Sequence, residues 1–385
     1  MFHQMPAMLA IIIFTIIAFG SYIPLPLAEM LFGISLTIKS IIIFLLPVII
    51  FSLLYKAAAN LAKDASRIII IILGGVIVSN FITTSLSQVI GIIIHGFDLS
   101  LTTPDENDAL KGHVLFTIPS LIPNHYSMFS GIIAGILSAR VLPQKTERIC
   151  VLFEQITSGL LKTITLMIPL FVTGFVVKIQ YDGVITQILK DYTLIFAIIV
   201  FSQFGFITFV YFVLEKFNFS RSIISIKNML PAALSGFSTM SSAASMPLTI
   251  IGTEKNAENK DLVHTVVPAT VNIHLIGDCI AIPCFAYAIL KNYNLPQPDI
   301  YAYFIFTFYF VLAKFSVAAI PGGGIIVMLP ILDKYLGFNT EMLSLITALY
   351  ILFDPFITSA NVLGNGAFAR IIDKLDLKKT TRGTQ

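Results

Sequence analysis

Two stretches decide how this chain reads: Ser235-Gly236-Phe237-Ser238-Thr239-Met240-Ser241-Ser242-Ala243-Ala244-Ser245-Met246-Pro247 and Ala319-Ile320-Pro321-Gly322-Gly323-Gly324. Each interrupts an otherwise apolar segment, 223–251 and 302–332, with small, hydroxylated or helix-breaking residues. A straight helix through such residues loses backbone hydrogen bonds and pays the conformational cost of glycine. Both segments therefore read as helical hairpins that turn back at their tips.

The rest of the chain supplies their setting. Of 385 residues, 56% are hydrophobic and 12% charged, and the mean hydropathy is +0.90. A soluble domain carries about 25% charge, and half that cannot cover a water-exposed surface of this size. Eight further apolar segments, near 5–27, 32–61, 67–95, 126–142, 151–180, 192–215, 262–290 and 341–371, are long enough for bilayer spans. The expected fold is all-α: a polytopic membrane protein with eight transmembrane helices and two re-entrant hairpins, its lipid partner the bilayer. A net charge of +3 with scattered basic residues excludes nucleic acid as a partner. Cys150, Cys279 and Cys284 form no CxxC pair and read as small buried residues. The start, Met1-Phe2-His3-Gln4, lacks a basic n-region, so the first span reads as retained.

Basic residues in short loops mark the cytoplasmic side. They cluster in 55–67 (Lys56, Lys63, Arg67), 140–148 (Arg140, Lys145, Arg148), 216–227 (Lys216, Arg221, Lys227) and the tail (Lys374, Lys378, Lys379, Arg382), whereas 96–113 is acidic. All basic connections share one side only if both hairpins enter and leave through the same face. The expectation is an inner- or plasma-membrane protein with both termini cytoplasmic. Re-entrant backbone survives at membrane depth only beside protein or a water-filled cavity. Two polar spans accompany the hairpins: Asn272 is followed by Gly277-Asp278, and Asn361 by Gly364-Asn365. A broken hairpin and an interrupted polar helix, each occurring twice, is the pattern of an inverted-repeat transporter with a midplane site.

Asp354 is the main candidate for chemistry, since a carboxylate deep in a span costs roughly 2.5–3.5 kcal/mol on insertion scales. It reads as a ligand for a cationic group, with an interfacial position as the alternative. Asn361 offers an amide on the same side, and an ammonium ligand beside an amide suits an amino acid. His274 and Asp278, four residues apart, fit either a proton-carrying pair or a structural lock on the helix interruption. The first hairpin offers the hydroxyls of Ser241 and Ser242 where two half-helices meet. Pro321-Gly322-Gly323-Gly324 reads as a movable tip. Lys314 either snorkels to the interface or fills an internal anionic pocket. A Ser–His–Asp hydrolase has no G-x-S-x-G elbow to support it, and an anion channel would need a continuous polar lining.

In order, the Ser-rich hairpin, the polar broken helix, the Pro-Gly-Gly-Gly hairpin and the Asp-plus-Asn final helix resemble the dicarboxylate/amino acid:cation symporters, the glutamate-transporter-like proteins. The likeness covers nearly the whole chain, with 39–61 similar to the family's second span and 239–249, 319–324 and 354–366 to its hairpin tips and eighth span. It implies a homotrimer and an elevator motion driven by sodium or protons. Residues 1–222 would be mainly scaffold and trimerisation spans, the third contributing to the transport domain, and 223–385 the transport core. It also implies that Ser241, Ser242, Thr358 and Asn361 meet the substrate, that Asp354 takes its ammonium, and that Ile320, Pro321, Gly322, Gly323 and Gly324 close over it. Asn272, His274, Asp278, Lys314, Asn361 and Asn365 would form the coupling region. No cofactor and no confident metal site follow.

The departures from the family pattern concern charge. Ile276 and Asn365 stand where sodium-binding aspartates are expected, and Lys314 replaces a sodium-site serine. Ile357 and Met240 stand where acidic-substrate members carry arginines. The expectation is an elevator-type symporter of a neutral amino acid or small carboxylate, with proton coupling. The alternatives are a sodium-coupled dicarboxylate or acidic amino acid symporter, an anion channel, or a degenerate homologue that does not transport.

Overall fold

A computed structural model describes residues 5–63, 67–97, 110–119, 121–183, 185–317 and 322–380. Among these every regular element is helical. Helix α1 (Met5–Phe19) ends in a 3₁₀ turn, Gly20–Tyr22. It is followed by α2 (Leu25–Lys63), α3 (Arg67–His95), α4 (Asn124–Val141), α5 (Pro143–Tyr181) and α6 (Ile185–Leu214). The C-terminal part comprises α7 (Phe219–Thr239), α8 (Ser242–Glu254), α9 (Lys260–Thr270), α10 (Ile276–Asn292), α11 (Ile300–Lys314), α12 (Gly323–Leu336) and α13 (Thr340–Thr380). Among the described residues, five stretches are long and apolar enough to cross a membrane: Leu25–Lys56, Ile68–His95, Pro143–Tyr181, Tyr192–Leu214 and Glu341–Asp376.

Two groupings organise the molecule. Helix α2 packs along α4 and α5. A Cβ on Gly131 of α4 would lie 2.7 Å from the Phe51 carbonyl oxygen, and Gly135, four residues on, abuts the Tyr55 carbonyl just as closely. Small residues at this spacing let two helix backbones touch, the usual device where lipid supplies no hydrophobic drive between helices. The second grouping centres on α10 and α13, against which α3, α6, α7 and α8 pack. The two meet at an apolar seam where Leu46, Ile49, Leu161 and Ile164 face Gly323, Ile326 and Val327 of α12.

Both expected hairpins are pairs of packed helices, α7 with α8 and α11 with α12. The first turns on Met240, whose left-handed φ of 49° ends α7, while the Ser241 hydroxyl accepts from Ala244 N–H to start α8. The tip of the second, 318–321, with Ile320 and Pro321, lies outside the described residues. The expectation of two interrupted polar helices is half met: 271–275 separates α9 from α10, but α13 runs unbroken from Thr340 to Thr380 through Pro355, Asn361 and Gly364. The amide that could have disrupted α13 is turned outward to another helix, as described next. The basic stretch at 140–148 is mostly the first turns of α5, opened by Pro143. The three cysteines are buried.

Candidate functional site

Helix α13 carries the framework, with Asp354, Ile357, Thr358 and Asn361 all buried. The Thr358 hydroxyl donates to Asp354 Oδ1 at 2.8 Å, one turn away, and the backbone N–H of Gly322 donates to Oδ2 at 2.9 Å. Gly322 sits at φ +72°, where a side chain would be strained, and precedes the first residue of α12. The start of α12 is thus hung from one carboxylate of α13.

Two turns further along, Asn361 serves the other break. Its Oδ1 accepts from Gly277 N–H at 2.8 Å and, more weakly, from Asp278 N–H at 3.4 Å. These are first-turn donors of α10 that no intrahelical carbonyl can reach. Gly277 also lies directly against the Ile357 carbonyl, leaving no room for a Cβ. Gln203 of α6 donates to the Gly277 carbonyl at 2.9 Å. Asn80 of α3 spans the break: its Nδ2 donates to Ile273 O at 2.7 Å and its Oδ1 accepts from Leu275 N–H at 3.3 Å. Side chains from α13 and α3 thereby meet backbone groups that the gap between α9 and α10 leaves open, and Gln203 of α6 adds a bond to the same turn.

Asp278, the third residue of α10, is buried between these two arrangements. Tyr350 donates to its Oδ1 at 2.6 Å, while Asn361 Nδ2 at 3.4 Å and Lys314 Nζ at 3.7 Å approach its Oδ2. A Cβ on Gly324 would fall 2.6 Å from Asp278 Oδ1, so the first turn of α12 rests on this carboxylate as well. Lys314 is 0% exposed, with its ammonium 4.6 Å from the Phe310 ring centroid. The buried cluster holds two carboxylates and one ammonium, placed where the N-terminal ends of α10 and α12 converge. Helix N-termini favour negative charge, which accounts for carboxylates at this depth.

Several expected site residues fall elsewhere. Helix α10 begins only at Ile276, so His274 lies in the break and the four-residue spacing to Asp278 is not a helical one. The two do not pair: His274 Nε2 is 2.8 Å from Ser79 Oγ, and its ring packs at 4.4 Å on Phe368 with Asn365 alongside. Asn272 is exposed. Ser241 is occupied as a helix cap, and Ser242 is buried. The neighbouring hydroxyls hold the hairpin turn together, Thr239 donating to Ser235 O at 2.7 Å and Ser245 to Ser235 Oγ at 3.0 Å. The serine that meets His274 is Ser79 of α3, and not Ser241 or Ser242 of the first hairpin. Among the described residues no group of three or more His, Cys, Asp or Glu could hold a metal ion.

Sequence reasoning passed over Asn80, Gln203 and Tyr350. The first two carried a signal, since an amide within an apolar span needs a partner. Tyr350 carried none, because tyrosine is common in such spans.

A family model described as "Sodium:dicarboxylate symporter family" matches residues 5–375. The chain is 29% identical over 177 residues to excitatory amino acid transporter 5 of Homo sapiens, covering 45% of this chain and 30% of that protein. It is 28% identical over 214 residues to excitatory amino acid transporter 1 of Mus musculus, covering 53% and 37%. It is also 28% identical over 172 residues to excitatory amino acid transporter 3 of Mus musculus, covering 44% and 32%. The matches span about a third of the length of these relatives.

Proposed function

The chain belongs to the sodium:dicarboxylate symporter family, and from that premise we propose that it is a secondary transporter of a zwitterionic substrate with a neutral side chain. The observation that carries this reading is the charge of the buried centre. Asp278 has the Lys314 ammonium as its counter-ion, while among the described residues Asp354 is held by the Thr358 hydroxyl and the Gly322 N–H. A substrate ammonium arriving at Asp354 would supply the missing positive charge. It would also compete with Gly322 N–H for Oδ2, which links binding to the position of the α12 hairpin arm. Its carboxylate would be taken by the first hairpin near Ser242 and by the Asn361 side chain, as the family likeness implies. A second substrate carboxylate would have no such partner, because Ile357 and Met240 are both buried apolar groups. An unpaired buried carboxylate is costly.

The proposed motion is a sliding of the α10–α13 grouping, with α3 and α6–α9, against α2, α4 and α5. The apolar seam at Gly323 and Ile326 favours this, since such a contact carries few directional bonds to break. A homotrimer built on the α2, α4 and α5 side, eight spans with two re-entrant hairpins, and both termini in the cytoplasm complete the reading. Proton coupling rests on Asp354, the carboxylate that Lys314 does not face, and not on His274, whose ring is engaged by Ser79.

The test is uptake into proteoliposomes of labelled alanine, serine and aspartate under imposed sodium or pH gradients. Saturable uptake and counterflow of a neutral amino acid are expected. Micromolar aspartate uptake with alanine and serine ineffective would overturn the substrate assignment, and uptake that does not saturate would favour a channel.

A further inference from the structure

The Lys314 ammonium is unusual among the polar groups of the core. It is fully buried at the last residue of α11, and among the described residues it makes no hydrogen bond and has Asp278 Oδ2, at 3.7 Å, as its nearest anionic atom. A lysine so near the end of a helix could reach interfacial water if the fold let it; here it points inward over the Phe310 ring. Three features hold its charge in place: the carboxylate, the ring face, and the C-terminal carbonyl end of α11. Asp278 in turn faces Lys314 from α11, Tyr350, Asn361 and Asp354 from α13, the Gly324 backbone of α12, and its own neighbour Cys279. Among these the lysine is the one cation.

We infer that Lys314 is a built-in counter-ion that occupies, through a covalent tether, the place beside Asp278 that a free monovalent cation would otherwise take. This deepens the transport reading, on which its consequence for coupling rests: with that place filled, Asp278 has no need of an ion from solution, and the ion dependence of the carrier falls to Asp354 alone. The geometry favours a tether over a vacant site. The ammonium lies 3.7 Å from one carboxylate oxygen and over the Phe310 ring, so it balances the charge of Asp278 without closing a directed hydrogen bond. Lys314 and Asp278 also come from different hairpin-associated helices, so the pair joins α11 to α10.

The test needs no transport. The purified full chain, its K314M and D278N variants and the K314M/D278N double variant are melted in detergent across a concentration series of sodium, lithium, potassium and choline chloride. The wild type is expected to melt at the same temperature in sodium as in choline. K314M is expected to melt lower in choline and to rise with sodium or lithium concentration. D278N alone should also melt low, and the double variant should recover most of the loss and show no cation response. A sodium-dependent rise in the wild type, or a K314M variant as cation-blind as the wild type, overturns the inference. If K314M does not fold, the D278N and double-variant pair decides: failure of the second substitution to restore what the first removes also overturns it. A wild-type chain that transports nothing would sink the function proposed above and leave these melts unaffected.

Discussion

Replacing Asn361 with alanine tests whether one side chain of α13 holds the start of α10. The substitution removes the acceptor 2.8 Å from Gly277 N–H and the more distant one 3.4 Å from Asp278 N–H, and it strips Asp278 Oδ2 of a donor at 3.4 Å. Only the first contact is short enough to count in full. A buried donor left unsatisfied costs about 1–3 kcal/mol, and water cannot easily replace the amide, because Gly277 lies hard against the Ile357 carbonyl. With a small addition for the weaker contacts, the loss is about 2–3 kcal/mol. Hydrogen exchange followed by mass spectrometry reads it locally: amides at the start of α10 should exchange roughly 30- to 150-fold faster, since about 1.4 kcal/mol is tenfold. Peptides from α2, α4 and α5 should be unchanged. Equal protection of the 276–285 region in N361A and wild type would refute the capping role, and a uniform loss across the chain would mean that Asn361 supports the whole fold and not this helix end.

Three further substitutions probe the same framework. Thr358→Val removes a donor to Asp354, and as a hydrogen bond to a charged group is worth about 1.5–3 kcal/mol, substrate affinity measured by calorimetry should change by roughly 10- to 100-fold, with Thr358→Ser close to wild type. Asn80→Ala leaves Ile273 O and Leu275 N–H without partners; a loss of about 2–4 kcal/mol in detergent unfolding is expected, and a change under half a kcal/mol would show that the break is held by Gln203 and Asn361 without α3. Gly324→Ala drives a methyl toward Asp278 Oδ1 and the Tyr350 hydroxyl, so the α12 arm should shift, seen as faster proteolysis of the hairpin; unchanged cleavage would mean the contact is slack.

Much of the fold was legible because membrane insertion forces regularity on a sequence. Every long apolar segment had to be helical, and the small-residue run at 235–247 flagged an interruption that the structure confines to Met240 and Ser241. The site was legible where the residue type was itself improbable: Asp354 and Lys314 announce themselves by charge in a span. It was illegible where position depended on local backbone. The His274–Asp278 pairing assumed helix periodicity across residues that prove to be the break, so the two side chains diverge, His274 toward Ser79 and Asp278 toward Tyr350. The expected interruption at Asn361 failed for the converse reason. An Asn can disrupt its own helix by bonding to local backbone, but the Oδ1 of this one accepts instead from Gly277 N–H, 84 residues away in sequence. Long-range partners of this kind leave no trace in periodicity.

The two carboxylates of the centre should respond in opposite ways to neutralisation, and that contrast separates a binding group from a structural one. Asp278→Asn strands the buried Lys314 ammonium, and breaking a buried pair from one side costs about 3–5 kcal/mol. Asp354→Asn removes a negative charge that no cation among the described residues accompanies; the amide oxygen can still accept from Gly322 N–H, and the Thr358 hydroxyl can turn to accept from the amide. Repulsion between the two carboxylates also disappears. Stability should therefore hold within about 1 kcal/mol or rise, as is common when a group kept for function is neutralised. Ammonium binding should be lost with it. Melting temperature and substrate binding, measured side by side, give the outcome: D278N low in stability, D354N stable but unable to bind. If D354N proves the less stable of the two, Asp354 is the structural pin of the α12 hairpin first and a substrate ligand second, and the proposed competition between substrate and Gly322 for its oxygen is wrong.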